Sequence, residues 1–160
     1  MTDSEILIAD IERAFDDTEP PPSFRVVDEV PGDLEREEIA DAFRERHWKT
    51  LDTETLRYHA EAVFFFTPEA FRYYLPSYLL AVLKAYEETD VLPDLLIAAL
   101  TPPPEDDKRL ASFLARVEPL TIPQKRALAA FLEFMQQEHG EDFLREEPRR
   151  AIEDYWKSFS

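Results

Sequence analysis

Apolar residues recur along most of this chain at the spacing of one face of an α-helix. In residues 4–16 they form a single stripe, and seven later stretches repeat the pattern, with Leu34 and Phe64 among the residues expected to be buried. Only two glycines occur, Gly32 and Gly140, which argues against an architecture of strands joined by tight turns. The pattern predicts an all-α fold, a compact single-domain bundle of about six to eight short helices over residues 1–160. The later stretches begin near residues 34, 53, 68, 93, 109, 122 and 149.

Residues 56–86 are predicted to contain the central helix. They read LRYHAEAVFFFTPEAFRYYLPSYLLAVLKAY and hold nine of the twenty aromatic residues, with only two acids and three bases. Thr67 is a suitable N-cap and Pro68 suits the first helical position. Apolar residues then cover almost every face, so the helix should be buried. Pro76 lies in the middle and should kink it or split it in two.

Other helix boundaries are marked by capping residues. Asp33 and Thr53 are expected to cap helices, and Thr121 with Gln124 three residues later matches a capping box. Gly140 is expected to end the helix that starts there. The last element is expected to run from Arg149 to Phe159.

Two proline-rich segments are predicted to be loops. Residues 18–33 contain Glu19-Pro20-Pro21-Pro22, which cannot continue a helix, and Phe24, Val26 and Val27 in this loop are expected to dock as a short extended piece. Residues 101–107 form a second loop, which is proline-rich and acidic.

The formal net charge of −17 is unevenly spread along the chain. Residues 1–54 carry −11, residues 55–86 carry +1 and residues 87–160 carry −7. Such a surface repels nucleic acids and anionic lipids and attracts a basic protein. The alternative interpretation is that the acidity only keeps the protein soluble. No cysteine is present, no basic-apolar leader opens the chain, and no stretch is long and apolar enough to span a membrane. A soluble cytoplasmic protein is expected.

Motifs for catalysis or for cofactor binding are absent. Two isolated glycines do not make a phosphate-binding loop, and no serine sits in a nucleophile motif. His47, His59 and His139 belong to no metal-binding pair, and the acidic clusters lack the spacing of a calcium loop. We therefore expect no catalytic residue, no metal site and no cofactor, while 35 acids make chance pairs of carboxylates inevitable.

The polar residues within the aromatic run are the remaining candidates for a binding site. They could form a crevice in which two guanidiniums grip a carboxylate. Alternatively, the arginines pair with nearby glutamates and the tyrosines bury their rings at the edge of the core. Trp48 and Trp156 are open to the same two interpretations, as core residues or as interface anchors. The candidates are Arg57, Tyr58, His59, Arg72, Tyr73 and Tyr74.

Three motifs resemble a known family. Leu56 to His59, Thr67 to Pro76 and the pair Tyr155-Trp156 are similar to segments of an uncharacterised bacterial family, catalogued as a domain of unknown function. The resemblance covers roughly residues 40–157. One departure is Leu-Thr-Ile-Pro-Gln near residue 120, where the family would have Leu-Thr-Pro-Glu-Gln, and it leaves the helix start intact. The resemblance implies a bacterial origin and no activity.

Three functions follow from these observations. The first is a non-catalytic acidic protein-interaction module, for example an immunity- or inhibitor-type protein that binds a basic partner. The second is a DNA mimic, whose carboxylates would take the place of phosphates. The third is a small-ligand binder or enzyme that uses Arg57, His59, Arg72 and Tyr73.

Overall fold

A computed structural model describes all 160 residues and shows an all-helical protein. It contains eight α-helices, several short 3₁₀ turns and no strand, which confirms the predicted all-α class. None of the helices has the length and apolarity needed to cross a bilayer. The helices are α1 (Asp3–Phe15), α2 (Leu34–Phe43), α3 (Thr53–Tyr58), α4 (Pro68–Lys84), α5 (Leu92–Ala99), α6 (Arg109–Val117), α7 (Ile122–His139) and α8 (Glu147–Asp154).

The contacts within the chain fall into two compact units. The terminal unit comprises Met1–Asp16 and Ile97–Ser160, and the central unit comprises Asp17–Leu96. Helix α5 contributes residues to both, because the division lies between Leu96 and Ile97. The single domain expected over residues 1–160 stays a prediction.

Helix α7 organises the terminal unit, with α1 and α8 packed against it. Its start is the predicted capping box, in which the Thr121 hydroxyl accepts from the Gln124 N–H and the Gln124 side chain accepts from the Thr121 N–H. The Gln124 amide also donates to the Ala14 carbonyl at 3.1 Å, which ties α7 to the end of α1. Trp156 is fully buried and its indole N–H donates to the Leu100 carbonyl at 2.7 Å. Trp156 is therefore a core residue.

Helix α4 is the core of the central unit and buries twelve of its residues. The Thr67 hydroxyl caps it as predicted, accepting from the Ala70 N–H at 3.1 Å. The helix runs unbroken through Pro76, so of the two predicted outcomes, a kink or a split, the split does not occur. Pro76 and its neighbours are buried, and the Ser77 hydroxyl donates to the Trp48 carbonyl at 2.5 Å. Tertiary packing thus outweighs the local cost of a proline inside the helix.

The proline-rich loop 18–33 docks on the start of α4. Val26 and Val27 are buried, and Val27 forms an isolated antiparallel bridge with Phe66. The Thr67 N–H donates to the Val26 carbonyl at 2.9 Å. The predicted docking of an extended piece is therefore correct for these two valines, whereas Phe24 remains partly exposed.

The stretch predicted to form one helix from residue 53 is divided in two. Asp52, not Thr53, is the N-cap of α3, since its carboxylate accepts from the Thr55 N–H at 2.8 Å. The helix ends at Tyr58, because the backbone of His59 is not helical (φ −105°, ψ 39°), and a 3₁₀ helix follows over Ala60–Phe64. A 3₁₀ helix has three residues per turn instead of about 3.6, so its side chains point in directions that a continued α-helix would not give them. Phe64 is therefore 47% exposed instead of buried.

Two further expectations were wrong. Leu34 is 75% exposed, because it precedes Glu38 by four residues and shares the exposed face of α2. The final element begins at Glu147 rather than Arg149 and is interrupted at Tyr155, where the backbone leaves the helical region (φ −150°, ψ −51°). Gly140 does lie at the C-cap of α7, but in a right-handed conformation (φ −55°) that leads into a 3₁₀ turn.

Candidate functional site

The structure brings three of the six candidate residues together and leaves the other three elsewhere. Arg57, Tyr58 and His59, at the end of α3, all line two cavities of about 470 Å³ each in the central unit. The other three candidates lie on α4 and line neither cavity. They are Arg72, Tyr73 and Tyr74.

Tyr74 has a structural role. It is fully buried, and its hydroxyl lies 2.6 and 2.9 Å from the carbonyl oxygens of Phe43 and Arg46, which share its one hydrogen. Burial raises the pKa of this phenol well above its ordinary range, so the hydroxyl stays neutral. A group that is neutral and fully bonded to the backbone is not available to a ligand.

Tyr73 and Arg72 also belong to the edge of the core. Tyr73 is 2% exposed, and burial raises its pKa, partly offset by a hydrogen bond from the Trp48 backbone. Arg72 is half-buried, and burial lowers its pKa while Glu69, three residues earlier, acts in the opposite direction. The positions of these side chains agree with the alternative in which the tyrosines of the aromatic run bury their rings at the edge of the core.

The two cavities share Arg57, Tyr58 and His59, and together we call them the Tyr58 cleft. Local structure places carboxylates around it. Glu35 and Glu38 lie on successive turns of α2, and a left-handed residue at Asp90 (φ 52°) precedes α5. The carboxylates that line the cleft are Glu35, Glu38, Asp52, Glu54, Glu61 and Asp90.

Ion pairs do not neutralise these carboxylates, although hydrogen bonds from Thr55 and the charge of Arg46 lower the pKa of Asp52. None of the six forms an ion pair with a lysine or arginine, and neither does Arg57, the one guanidinium in the cleft. Burial lowers the pKa of His59, an effect that the nearby Glu38 opposes, so the imidazole is neutral at pH 7. Six carboxylates and one guanidinium give the lining a formal charge of −5.

Tyr58 is the most exposed aromatic side chain in the cleft. It is 74% exposed, although its hydroxyl donates to the Glu38 carboxylate at 3.4 Å. Its ring meets the His59 imidazole edge-on, with 4.9 Å between ring centroids. The backbone of His59 is itself fixed, because the Tyr78 hydroxyl donates to the His59 carbonyl at 2.9 Å. Tyr58 is therefore positioned at its hydroxyl and at one edge, while most of its ring faces solvent.

A larger cavity, of about 1230 Å³, lies in the terminal unit along one face of α1 and one face of α7. Its rim carries both signs of charge. Arg13, which pairs with Asp10 at 3.0 Å, and Arg126 line it together with Asp3 and Glu133. This groove therefore shows no preference for a cationic or an anionic ligand, and its size alone does not indicate a partner.

The carboxylates of the cleft were missed by sequence reasoning. With 35 acids in the chain, no single glutamate is distinctive, and Glu38 lies 20 residues from the tyrosine that it contacts. The spacing of Glu35 and Glu38 on one helix was a weak signal that became informative only when Tyr58 was placed beside them. No group of three or more histidines or acids is arranged to hold a metal ion.

In a comparison with known families, residues 2–160 match a family of unknown function, DUF6714. The chain belongs to this family. Membership extends beyond the residues 40–157 on which the motif resemblance rested, and it assigns no activity. No curated protein matches the chain, and neither does any solved structure.

Proposed function

We propose that this member of the family is a non-catalytic interaction module that binds a basic partner protein, in the manner of an immunity or inhibitor protein. The observation that carries the proposal is the Tyr58 cleft, where six carboxylates lie around an exposed aromatic ring and none forms an ion pair with a lysine or arginine of the chain. An acidic site of this kind complements lysine and arginine side chains on another protein.

The charge of the surrounding unit supports the same function. Residues 17–96 contain 18 acidic and 8 basic residues, a formal net charge of −10. A field of this sign accelerates encounter with a positively charged protein and repels nucleic acid. The ligand-binding alternative has less geometric support, because the two cavities lined by Arg57 and His59 are lined by neither Arg72 nor Tyr73.

The first experiment is capture of the tagged protein's partners from the cytoplasmic fraction of its bacterial host, at low and high salt. We expect one basic protein, held more weakly at high salt because exposed charges are screened. Capture of no protein at either salt would end the proposal. A nucleic-acid-binding partner that free DNA displaces would replace it with DNA mimicry.

Two matched triple variants then locate the binding surface. The first neutralises Glu35, Glu38 and Glu61 in the cleft by substitution with glutamine, and the second neutralises three glutamates of the terminal unit. We expect the first to weaken the complex at least about tenfold and the second to change it by less than about twofold. Equal effects would mean that only the overall charge matters. The control positions are Glu118, Glu138 and Glu141.

A further inference from the structure

The chain already contains one guanidinium placed between a ring and a carboxylate. The Arg36 guanidinium lies over the Phe65 ring, 5.1 Å from its centroid, and pairs with the Asp33 carboxylate at 2.5 Å. Such an arrangement combines attraction to the electron-rich face of the ring with a charged hydrogen bond.

Tyr58 and Glu38 present the same two groups without a cation of the chain between them. The Tyr58 hydroxyl donates a long hydrogen bond, of 3.4 Å, to the Glu38 carboxylate, so the ring and the carboxylate lie side by side. No lysine or arginine lies over the Tyr58 ring, including Arg57, its neighbour in the sequence. Because the ring is 74% exposed, a side chain from another molecule can reach it.

The cleft also offers apolar surface to the stem of such a side chain. Val91 is 53% exposed, and it lines the same cavity as Ile39 and Leu95. A cavity of about 470 Å³ is large enough for one long side chain and its solvation. Arginine and lysine characteristically lay their methylene stems along apolar surface while the charged end meets acids.

We propose that the Tyr58 cleft recognises a single arginine side chain of the partner, whose guanidinium stacks on the Tyr58 ring and bonds to Glu38. This inference rests on the proposed function and names the chemistry recognised at the same site. Arginine fits better than lysine because its planar guanidinium stacks on a ring and presents several donors to neighbouring carboxylates such as Glu35 and Glu61. A lysine ammonium gains the charge attraction but not the stacking.

The test uses three capped tripeptides, Gly-Xaa-Gly with arginine, lysine or citrulline at the centre, and NMR chemical shifts of the intact protein. We expect the arginine peptide to bind weakly and to shift Tyr58 and His59, with about three- to fivefold higher affinity than the lysine peptide. Citrulline keeps the planar shape and lacks the charge, so it should not bind. Glu38→Gln should weaken both cationic peptides, whereas Glu37→Gln, on the same helix but outside the cleft, should not.

Tyr58→Leu separates stacking from charge. Tyr58 is exposed, so the variant should fold, and it should lose the preference for arginine over lysine while keeping some affinity for both. Equal binding of the two peptides to the wild type, or shifts that map outside the cleft, would overturn the arginine inference and leave a basic partner possible. Failure to capture any basic protein would instead refute the proposed function, whatever the tripeptides do.

Discussion

Replacing Tyr74 by phenylalanine tests whether the tyrosines on α4 are structural. The substitution removes one oxygen and keeps the ring, which meets Phe43 edge-on at 5.0 Å and lies 5.5 Å from Phe66. Any loss of stability therefore reports on the hydroxyl alone. The matched control is Tyr58→Phe, which removes the same atom from a side chain that is 74% exposed.

The expected magnitude follows from the partners of the hydroxyl. Tyr74 donates to the carbonyls of Phe43 and Arg46, and the first of these also accepts from the Arg46 N–H at 3.1 Å. The variant therefore leaves mainly the Arg46 carbonyl short of a partner. Loss of one buried hydrogen bond, together with an unsatisfied acceptor, should lower the free energy of unfolding by about 1–3 kcal/mol. The control should change it by less than about 0.5 kcal/mol.

Urea unfolding followed by circular dichroism measures both variants against the wild type. Because the two substitutions remove the same atom, their difference isolates the effect of burial. A Tyr74→Phe protein within about 0.5 kcal/mol of the wild type, or a Tyr58→Phe protein destabilised equally, would refute the structural role of the Tyr74 hydroxyl.

Two further predictions concern pH and the joint between α1 and α7. Burial lowers the pKa of His59, so its NMR titration should have a midpoint below the ordinary value of 6.5, and a midpoint at or above 6.5 would contradict the burial. Since the unfolded chain then binds more protons below pH 6.5, wild-type stability should fall relative to His59→Gln as the pH drops from 7 to 5. Gln124→Ala removes half of the capping box and the bond to Ala14, and should cost about 1–2 kcal/mol in urea unfolding. Gln137→Ala, on the exposed side of the same helix, should cost less than about 0.5 kcal/mol, and equal costs would contradict the account.

The sequence predicted helix starts well where the chemistry is local. Asp33, Thr67 and Thr121 each cap a helix through a bond to a residue three positions later, so a short window of sequence contains the whole interaction. The interruptions at His59 and Tyr155 were missed, because both residues leave helical geometry without a glycine or proline to announce it. Breaks of this kind depend on contacts with distant parts of the chain.

The candidate site was predictable only in part, for a related reason. Tyr58 and Tyr74 both lie in the aromatic run, yet one is exposed and the other fully buried. Composition and spacing do not separate them, because exposure depends on where α3 ends and how α4 packs. The partner of Tyr58 is Glu38, from an earlier helix, and only the folded chain makes that pairing visible.

The two roles of Thr67 have a consequence for the order in which the protein folds. Its hydroxyl accepts from the Ala70 N–H and donates to the Arg25 carbonyl, which lies 42 positions earlier in the chain. Closing a loop of that length costs entropy on the order of 3 kcal/mol, so the contact should form after the helices have begun. The proline-rich segment then joins the fold after α4 has started, and its detachment would leave the Thr67 hydroxyl with the cap bond alone.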